Sequence, residues 1–419
     1  MKPPVPTTVR SRFTQSELDI ALEAHERLMD GRPGGKRAVL GFAVLTGLDL
    51  SGRNLTEADL SGAVLDGVKA LKTNFERANL FGCDLRRADL RGANLRKADL
   101  RGASLRGANL SLADLTQADF RIGRVAVADR KRGLASMHHI LRPGQLDEAD
   151  LTGATLDESQ LDGTTAFRAD FADCSMRGAK LSGANLKDAN LAGAMLQDAE
   201  IIGANLEGAC LRDAILAGVD VSRANITGAD LSGSLRDGDD CQVRAAELLA
   251  RAVQNYKWLK SGGKDGLRTS FDGEDLRVLG ATLKGRPLMA MSARGACLVG
   301  MDLSGAQLQG VDFEGADLRG ANLNAADLRG ARLVGANLTK TSLRRANLGP
   351  LPLGGGRETP ANLTGARLRY LRGEGLFARG AVFDGADLQG AALTQADLID
   401  ARFKGAILDD VVGARLQAA

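Results

Sequence analysis

Apolar residues return at every fifth position along most of this chain, most regularly in the stretch 84–120. The repeated positions there are Leu85, Leu90, Leu95, Leu100, Leu105, Leu110, Leu115 and Phe120. An α-helix would scatter such residues around its axis, since five residues advance by about 500°. A flat strand would turn them to alternate faces. The backbone must therefore turn once per five residues, which predicts an all-β solenoid.

The repeated unit has the form A-(D/N)-L-x-x, as at 88–92 (ADLRG) and 321–325 (ANLNA). This unit resembles the repeat of the pentapeptide-repeat proteins, and the resemblance covers most of the chain. It implies a right-handed quadrilateral parallel β-helix, in which four units make one square turn. The central Leu or Phe and the preceding Ala would fill the interior. Such a repeat specifies a surface and carries no chemistry of its own.

Two segments have helical rather than fivefold spacing. Residues 14–30 place apolar side chains on one face, and Thr14 and Glu17 have the spacing of a capping box. A second amphipathic helix is predicted from about residue 240 to 260, and its apolar positions are Val243, Ala246, Leu249, Ala250, Val253, Tyr256 and Leu259. With one constant offset of 231 residues, Leu28 matches Leu259 and Gly31 matches Gly262. The chain therefore contains two copies of one cassette, each a cap helix followed by a coil whose open end the helix would cover.

These patterns predict a tail at 1–13, a cap helix with its Gly-rich turn at 14–37, a first pentapeptide-repeat β-helix at 38–236, a second cap helix and turn at 237–268, and a second β-helix at 269–419. A basic loop at 121–145 interrupts the first coil and moves the fivefold register by one residue. A second loop, at 349–360, leaves the register unchanged. The sequence leaves open whether the second helix covers the end of the first coil, the start of the second, or both. It equally leaves open whether the two rods are coaxial or hinged.

Composition argues against a large charged or membrane-embedded surface. The net charge of +3 is near balance, so nucleic acid is not an expected partner. No apolar run approaches the roughly 18 residues of a membrane span, and the first residues lack the apolar core of a signal peptide. A cytoplasmic protein of bacterial type is the expectation. Cys83 and Cys174 stand where the repeat has Ala, which predicts small buried side chains rather than metal ligands.

Catalytic chemistry has little support in the sequence. The only histidines are His25, His138 and His139, and they form no Ser-His-Asp, Cys-His or metal-ligand pattern. We therefore expect no enzymatic activity, no cofactor and no metal. The many Asp residues just before Leu are expected to hydrogen-bond local backbone at the corners of the coil.

The insertion at 121–145 is the most distinctive segment outside the repeat. Its candidate partner-binding residues are Arg121, Arg124, Arg130, Lys131, Arg132, His138, His139 and Arg142. Binding residues concentrate on loops that a rigid scaffold positions. Two interpretations stay open: a contact for an acidic partner or for phosphates, and a solvated loop without a partner.

A second basic series follows the central leucines at Arg86, Arg91, Arg96, Arg101 and Arg106. With four units per turn, only residues twenty apart share a face, so Arg86 lies under Arg106 and the others point to other sides. The series therefore forms a girdle interleaved with aspartates, and a DNA duplex on one side would meet few of its members. A solvated surface is the better interpretation.

The sequence thus predicts a non-enzymatic scaffold, or protein–protein interaction module, that presents β-helix walls and loops to an unidentified protein partner. The C-terminal end near Leu408 has no predicted cap and is a candidate homodimer contact. One alternative is a DNA-gyrase or topoisomerase modulator of the DNA-mimic type, which the slightly basic charge disfavours. The other is a membrane-peripheral organiser, which the absence of a Lys/Arg-rich helix face disfavours.

Overall fold

The computed structural model describes residues 11–128, 137–236, 239–409 and 411–413, with backbone only at 126–128, 137–138 and 239–242. The chain divides into two compact units, Met1–Asp237 and Gly238–Ala419, each with its own hydrophobic core. The regular elements are α1 (Gln15–Met29), β1 (Gly123–Ala128), β2 (Met137–Arg142), β3 (Ile215–Leu216), β4 (Leu235–Arg236), α2 (Asp239–Lys260), β5 (Leu351–Gly354) and β6 (Arg357–Thr359), with short 3₁₀ turns at Val221–Arg223 and Arg277–Leu279.

The repeat sequence winds the backbone of both units into a coil. Val39 forms a parallel bridge with Asp59, and Asp59 with Asn79, each a step of twenty residues. The inward-facing residues bond the next turn as well: the Leu85 N–H donates to the Ser104 carbonyl at 2.7 Å. Twenty residues per turn and one inward residue in five give each turn four sides, as the repeat predicts. Each side holds a single bridged residue, so extended strands are few.

Small side chains two positions before each central residue complete the interior. Most are Ala, and Cys83 and Cys174 take the same place with no solvent exposure, as the sequence predicts. Both thiols donate at 2.9 Å to the carbonyl of the central residue of an earlier turn, Leu60 and Leu151 respectively. The interior of the coil therefore accepts a small donor wherever a backbone carbonyl can accept from it.

The helix α1 begins as the sequence predicts. Thr14 is its N-cap, and the reciprocal bonds with Glu17 complete a capping box. Leu18 and Leu22 are fully buried and belong to the first core. Leu28, expected on the same face, is instead 40 % exposed. The buried face of α1 therefore ends before its last turn.

The helix α2 packs on the second core through a different stripe from the expected one. Leu248, Ala252 and Asn255 are buried, whereas Val243 and Val253 are exposed. The prediction counted apolar positions alone and so oriented the helix on its valines. Asn255 enters the buried stripe because its amide is hydrogen-bonded on both sides: it accepts from the Thr269 N–H and donates to the Met289 carbonyl, both at 3.2 Å.

The two segments predicted as loops contain β-hairpins. In the first insertion β1 pairs antiparallel with β2, with Val125 opposite Ile140. In the second, β5 pairs antiparallel with β6. Sequences such as RVAV and HHIL supply the β-branched and apolar residues that favour strands, so each excursion hydrogen-bonds to itself. The coil closes beneath them through the bridges Ser104↔Gln145 and Arg332↔Asn362.

Three of the arginines that follow central leucines are paired with the aspartates that precede those leucines. Arg86, Arg91 and Arg101 each form a two-pronged ion pair with the Asp two residues earlier, for example Arg101 with Asp99 at 2.7 and 2.9 Å. This pairing agrees with an interleaved, solvated girdle rather than a basic track.

Candidate functional site

One corner of the first coil is unusually bare. Phe42, Gly62, Gly82 and Gly102 occupy equivalent positions in successive turns, and all four have a positive φ between 60° and 64°. The three glycines, here called the glycine corner, leave the backbone without side chains along that edge of the wall. Phe42 lies at one end of the row, with its ring over Gly62: a Cβ added there would lie 2.6 Å from the phenylalanine Cε1.

The hairpin β1–β2 lies back on this corner. Val125 is almost fully buried, and its methyl groups cover two successive turns. An added Cβ at Gly82 would lie 3.1 Å from Val125 Cγ1, and one at Gly102 would lie 2.7 Å from Val125 Cγ2. These two glycines are therefore needed for the close approach of the hairpin, beyond the positive φ that every such corner imposes.

Arg142, at the end of β2, fixes the hairpin from its other strand. Its Nε donates to the Gly102 carbonyl at 2.5 Å and its Nη2 to the Gly82 carbonyl at 2.9 Å. Burial lowers the pKa of this guanidinium, and the nearby Asp84 carboxylate opposes that effect. Among the residues with described side chains, no carboxylate lies within ion-pair distance of Arg142. The Asp84 carboxylate is bonded by Arg86 through both of its oxygens, at 2.6 and 2.7 Å.

Between Phe42 and the hairpin lies a cavity of about 340 Å³, here called the corner groove. The glycine corner forms its floor at Gly62 and Gly82, and Phe81 and Val64 add apolar surface. Arg124, His139 and Arg142 line it on the hairpin side. The groove thus combines apolar surface with a group of basic side chains, on a scaffold whose backbone is hydrogen-bonded from turn to turn.

The structure places the predicted partner-binding residues in different surroundings. Arg124, His139 and Arg142 come together at the corner groove. Arg121 is paired with Asp119 at 2.8 Å and belongs to the Arg–Asp girdle. Arg130, Lys131 and Arg132 lie outside the described residues, and of His138 only the backbone, in β2, is described.

Sequence reasoning missed the apolar half of the groove. Phe42, Phe81 and Val125 were not considered, although Phe42 could have been noticed as a Phe at a corner where the next three turns have Gly. A search in steps of twenty residues would have found that column.

The second unit repeats the anchoring of the hairpin. Leu351, the first residue of β5, lies over Gly310 and Gly330, where an added Cβ would be 3.5 Å from its Cδ2 and 2.6 Å from its Cβ respectively. One offset of 228 residues relates Gly82 to Gly310, Gly102 to Gly330 and Phe120 to Leu348. Both hairpins therefore leave their coils at equivalent places and cover a pair of glycines from stacked turns.

Metal ligands, membrane-spanning helices and reactive cysteines are further features that bear on function in the described ranges. No group of three or more His, Cys, Asp or Glu side chains in them could hold a metal ion. No helix there combines the length and the apolar character needed to cross a bilayer. Burial raises the pKa of the Cys83 thiol to about 12, so this cysteine is a packing residue rather than a nucleophile.

Comparison with known families gives one clear match. The model described as pentapeptide repeats matches in eight copies, at residues 43–82, 83–121, 145–183, 174–213, 211–234, 292–324, 321–349 and 379–412. No curated protein matches the sequence.

Three solved structures illustrate the similarity. HetL, a pentapeptide repeat protein involved in heterocyst differentiation regulation from the cyanobacterium Nostoc sp. strain PCC 7120, is 22% identical over 79% of this chain and 94% of its own, with a TM-score of 0.19. A pentapeptide repeat protein from the Arabidopsis thaliana thylakoid lumen is 24% identical over 35% and 72%, with a TM-score of 0.20. QnrB1, a plasmid-mediated fluoroquinolone resistance protein, is 18% identical over 49% and 99%, with a TM-score of 0.23. At these TM-scores the superpositions carry no argument about this chain.

Proposed function

Since this chain belongs to the pentapeptide-repeat family, we propose that it is a non-enzymatic scaffold that binds a protein partner through the hairpin β1–β2 and the adjoining wall. Members of this family are typically structural or interaction proteins. The repeat supplies a stiff wall, and the hairpin supplies side chains that the repeat does not specify.

The observation that carries the proposal is a set of exposed apolar side chains on and beside a fixed hairpin. Leu141 is 75 % exposed on one face of β2, Ile140 is exposed on the opposite face in register with Val125, and Ile122 is exposed just before β1. Val125 and Arg142 anchor the same hairpin to the coil, so these three side chains are presented in one arrangement. Exposed apolar residues rimmed by basic ones are typical of protein interaction sites, and little ordering entropy remains to oppose binding.

A pull-down from the native source tests the proposal. One variant replaces residues 123–142 by a four-residue Gly-Ser linker, which can close the gap because Gly123 and Arg142 are paired neighbours in the hairpin. The matched control replaces residues 351–359 in the second hairpin in the same way. We expect a partner that the intact chain and the control capture and that the first variant loses. Equal capture by all three proteins would contradict the proposal.

The finer features of the fold belong to the same proposal. We infer that both coils are the right-handed quadrilateral β-helix of the family, and that each helix caps the start of the coil that follows it. The burial of Leu18 and Leu22 in the first core, and of Leu248 and Ala252 in the second, supports this inference. This inference keeps the boundary between the first β-helix and the second cap helix at residue 237.

The C-terminal end of the second unit is the proposed homodimer contact. Ile407 and Val412 are about half exposed there, while Phe403 stacks on Phe383 with ring centroids 4.9 Å apart. Apolar side chains and unpaired backbone at the end of a coil favour pairing with a second copy. Leu416, part of the predicted last turn, lies outside the described residues.

The two other function classes have less support. A DNA mimic requires an acidic wall, whereas the Arg–Asp pairs of the girdle balance one another along the first coil. A membrane-peripheral role would need an amphipathic helix whose apolar face is free to enter the lipid surface. The apolar face of α1 is instead buried against the coil.

A further inference from the structure

The corner groove is a built cavity with two chemically distinct halves. Its volume of about 340 Å³ lies within the range of roughly 300–1,000 Å³ that is usual for ligand sites in proteins. One half is apolar, formed by Phe42, Phe81, Val64 and the side of Val125. The other half is basic, formed by Arg124, His139 and Arg142.

The apolar half has a shape that an inserted side chain can fill. At its floor the Phe42 ring already lies over Gly62 and the Val125 methyl groups over Gly82, so the free space is the gap between these two side chains, against Phe81 and Val64. The ring of Phe42 closes one end and the methyl groups of Val125 close the other. Burial of an apolar group between them would release water from both surfaces.

The basic half has unused hydrogen-bonding capacity. A guanidinium has five N–H donors, and Arg142 donates only through Nε and Nη2, to two carbonyls. Among the residues with described side chains, no carboxylate lies within ion-pair distance of Arg124. Asp84, the one carboxylate in the lining, has both of its oxygens bonded by Arg86 and forms no ion pair with Arg124 or Arg142.

We propose that the corner groove binds an acidic peptide segment of a protein partner. An apolar or aromatic side chain of the peptide lies in the gap between the Phe42 ring and the Val125 methyl groups, against Phe81 and Val64, and neighbouring carboxylates pair with Arg124 and Arg142. This inference rests on the proposed function and adds the chemistry of the partner. An inorganic anion would leave the apolar half unfilled, and a DNA backbone would find basic side chains on one side only.

A peptide array tests the inference with the full-length protein. Each peptide of the array has Phe, Leu, Trp or Ala at its centre, flanked by Asp and Glu, by Asn and Gln, or by Lys and Arg. The affinity of the peptides that bind is then measured in solution by fluorescence anisotropy. We expect selection of acidic flanks together with an apolar centre. Preference for basic or neutral flanks, indifference to the central residue, or no binding would each overturn the inference. Displacement of the selected peptide by 10 mM inorganic phosphate would overturn it too, because it would identify a simple anion site.

Two variants separate the halves of the groove. Phe42→Gly introduces the residue that the next three turns have at this corner, and glycine readily adopts the φ of 60° found there, so the variant should fold. The variant should weaken the preference for an apolar central residue about fivefold and keep the preference for acidic flanks. Arg124→Gln combined with His139→Gln should weaken acidic binding about fivefold. Lys97→Gln, at a different corner of the same coil, is the matched control and should change neither preference. Variants that bind like the control would refute the assignment.

Failure of this inference can be distinguished from failure of the proposed function. If the partner is lost on replacement of the hairpin but retained by both groove variants, the partner uses the outer face of the hairpin and the groove proposal is wrong. If the acidic peptides bind as expected but no partner depends on the hairpin, the groove binds and the proposed scaffold role is wrong.

Discussion

The Nδ1 atom of His25 accepts a hydrogen bond from the Ala38 N–H at 3.2 Å. The Nε2 atom of the same ring lies 3.0 Å from the Thr56 carbonyl, which can only accept. The ring must therefore be neutral, with its proton on Nε2. His25 is fully buried, and in this state it joins α1 to both ends of the first turn of the coil. In the second unit Asn255 of α2 does the same, with Thr269 and Met289 as its partners.

The first unit should therefore lose stability in mild acid. Burial is the main cause that lowers the pKa of His25 below its ordinary 6.5. Protonation is then more favourable in the unfolded chain, so the stabilisation is complete above about pH 6.5 and declines as the pH falls toward the folded-state pKa. Thermal unfolding followed between pH 7.5 and 5 should show this decline.

The variant His25→Asn supplies the control, because Asn can accept and donate as Asn255 does but does not titrate. Its stability should change less with pH over the same window, whatever its stability at pH 7.5. If the variant and the parent showed the same pH dependence, a protonated His25 would be tolerated in the fold and the hydrogen-bond assignment would be wrong.

The glycine corner should control the attachment of the first hairpin. Gly102→Ala should destabilise the chain by about 1–3 kcal/mol more than Gly67→Ala, because the new methyl group collides with Val125. Both glycines have nearly the same φ, 64° and 65°, and Gly67 has nothing within 4 Å of an added Cβ, so backbone strain cancels in the comparison. Faster amide hydrogen exchange in β1 and β2 for the Gly102 variant alone would show the hairpin loosening; equal effects would contradict the packing.

The cysteines should differ in reactivity according to their place in the coil. Cys83 is fully buried and the pKa of its thiol is raised to about 12, whereas Cys210 is partly exposed on the wall. Alkylation by iodoacetamide at pH 8 should therefore modify Cys210 well before Cys83 in the folded protein, measured by peptide mass spectrometry. Comparable rates would mean that the first coil opens on the timescale of the labelling.

The C-terminal end of the second unit should determine oligomeric state. If it is the homodimer contact, Ile407→Asp should shift the mass from dimer to monomer in light scattering, because a carboxylate would enter the apolar interface. Ile202→Asp places the same charge at a similarly exposed isoleucine on the first unit and should leave the mass unchanged. A chain that is monomeric before substitution, or a dimer that survives it, would rule out this contact.

The repeat could be predicted from the sequence because a period of five excludes both regular secondary structures. The sequence therefore predicted that residues such as Leu85 and Cys83 are buried in the interior of a turning coil, and both are buried there. The capping box of Thr14 and Glu17 was equally local and was confirmed. These predictions succeeded because each depends on residues close together in the chain.

The corner groove could be predicted only in part. Its basic residues were identified from their density in one insertion, but the insertion was taken for a loop. Its apolar half depends on how Val125 of the hairpin lies against Gly102 and Gly82, which are 23 and 43 residues earlier, and no local pattern encodes this contact. Asn255 was missed for a related reason: a polar residue joins a buried face only when its hydrogen-bond partners, here from distant turns, are known.

Site-specific photo-crosslinking tests the central claim most directly. A photoreactive amino acid is placed at Leu141 on the first hairpin and, as a matched control, at Leu353 on the second hairpin, both of which are exposed. Partner binding at the first hairpin predicts a crosslink from position 141 to the protein captured in the pull-down, and none from position 353. Crosslinking from position 353 alone would place the partner on the second unit and contradict the account.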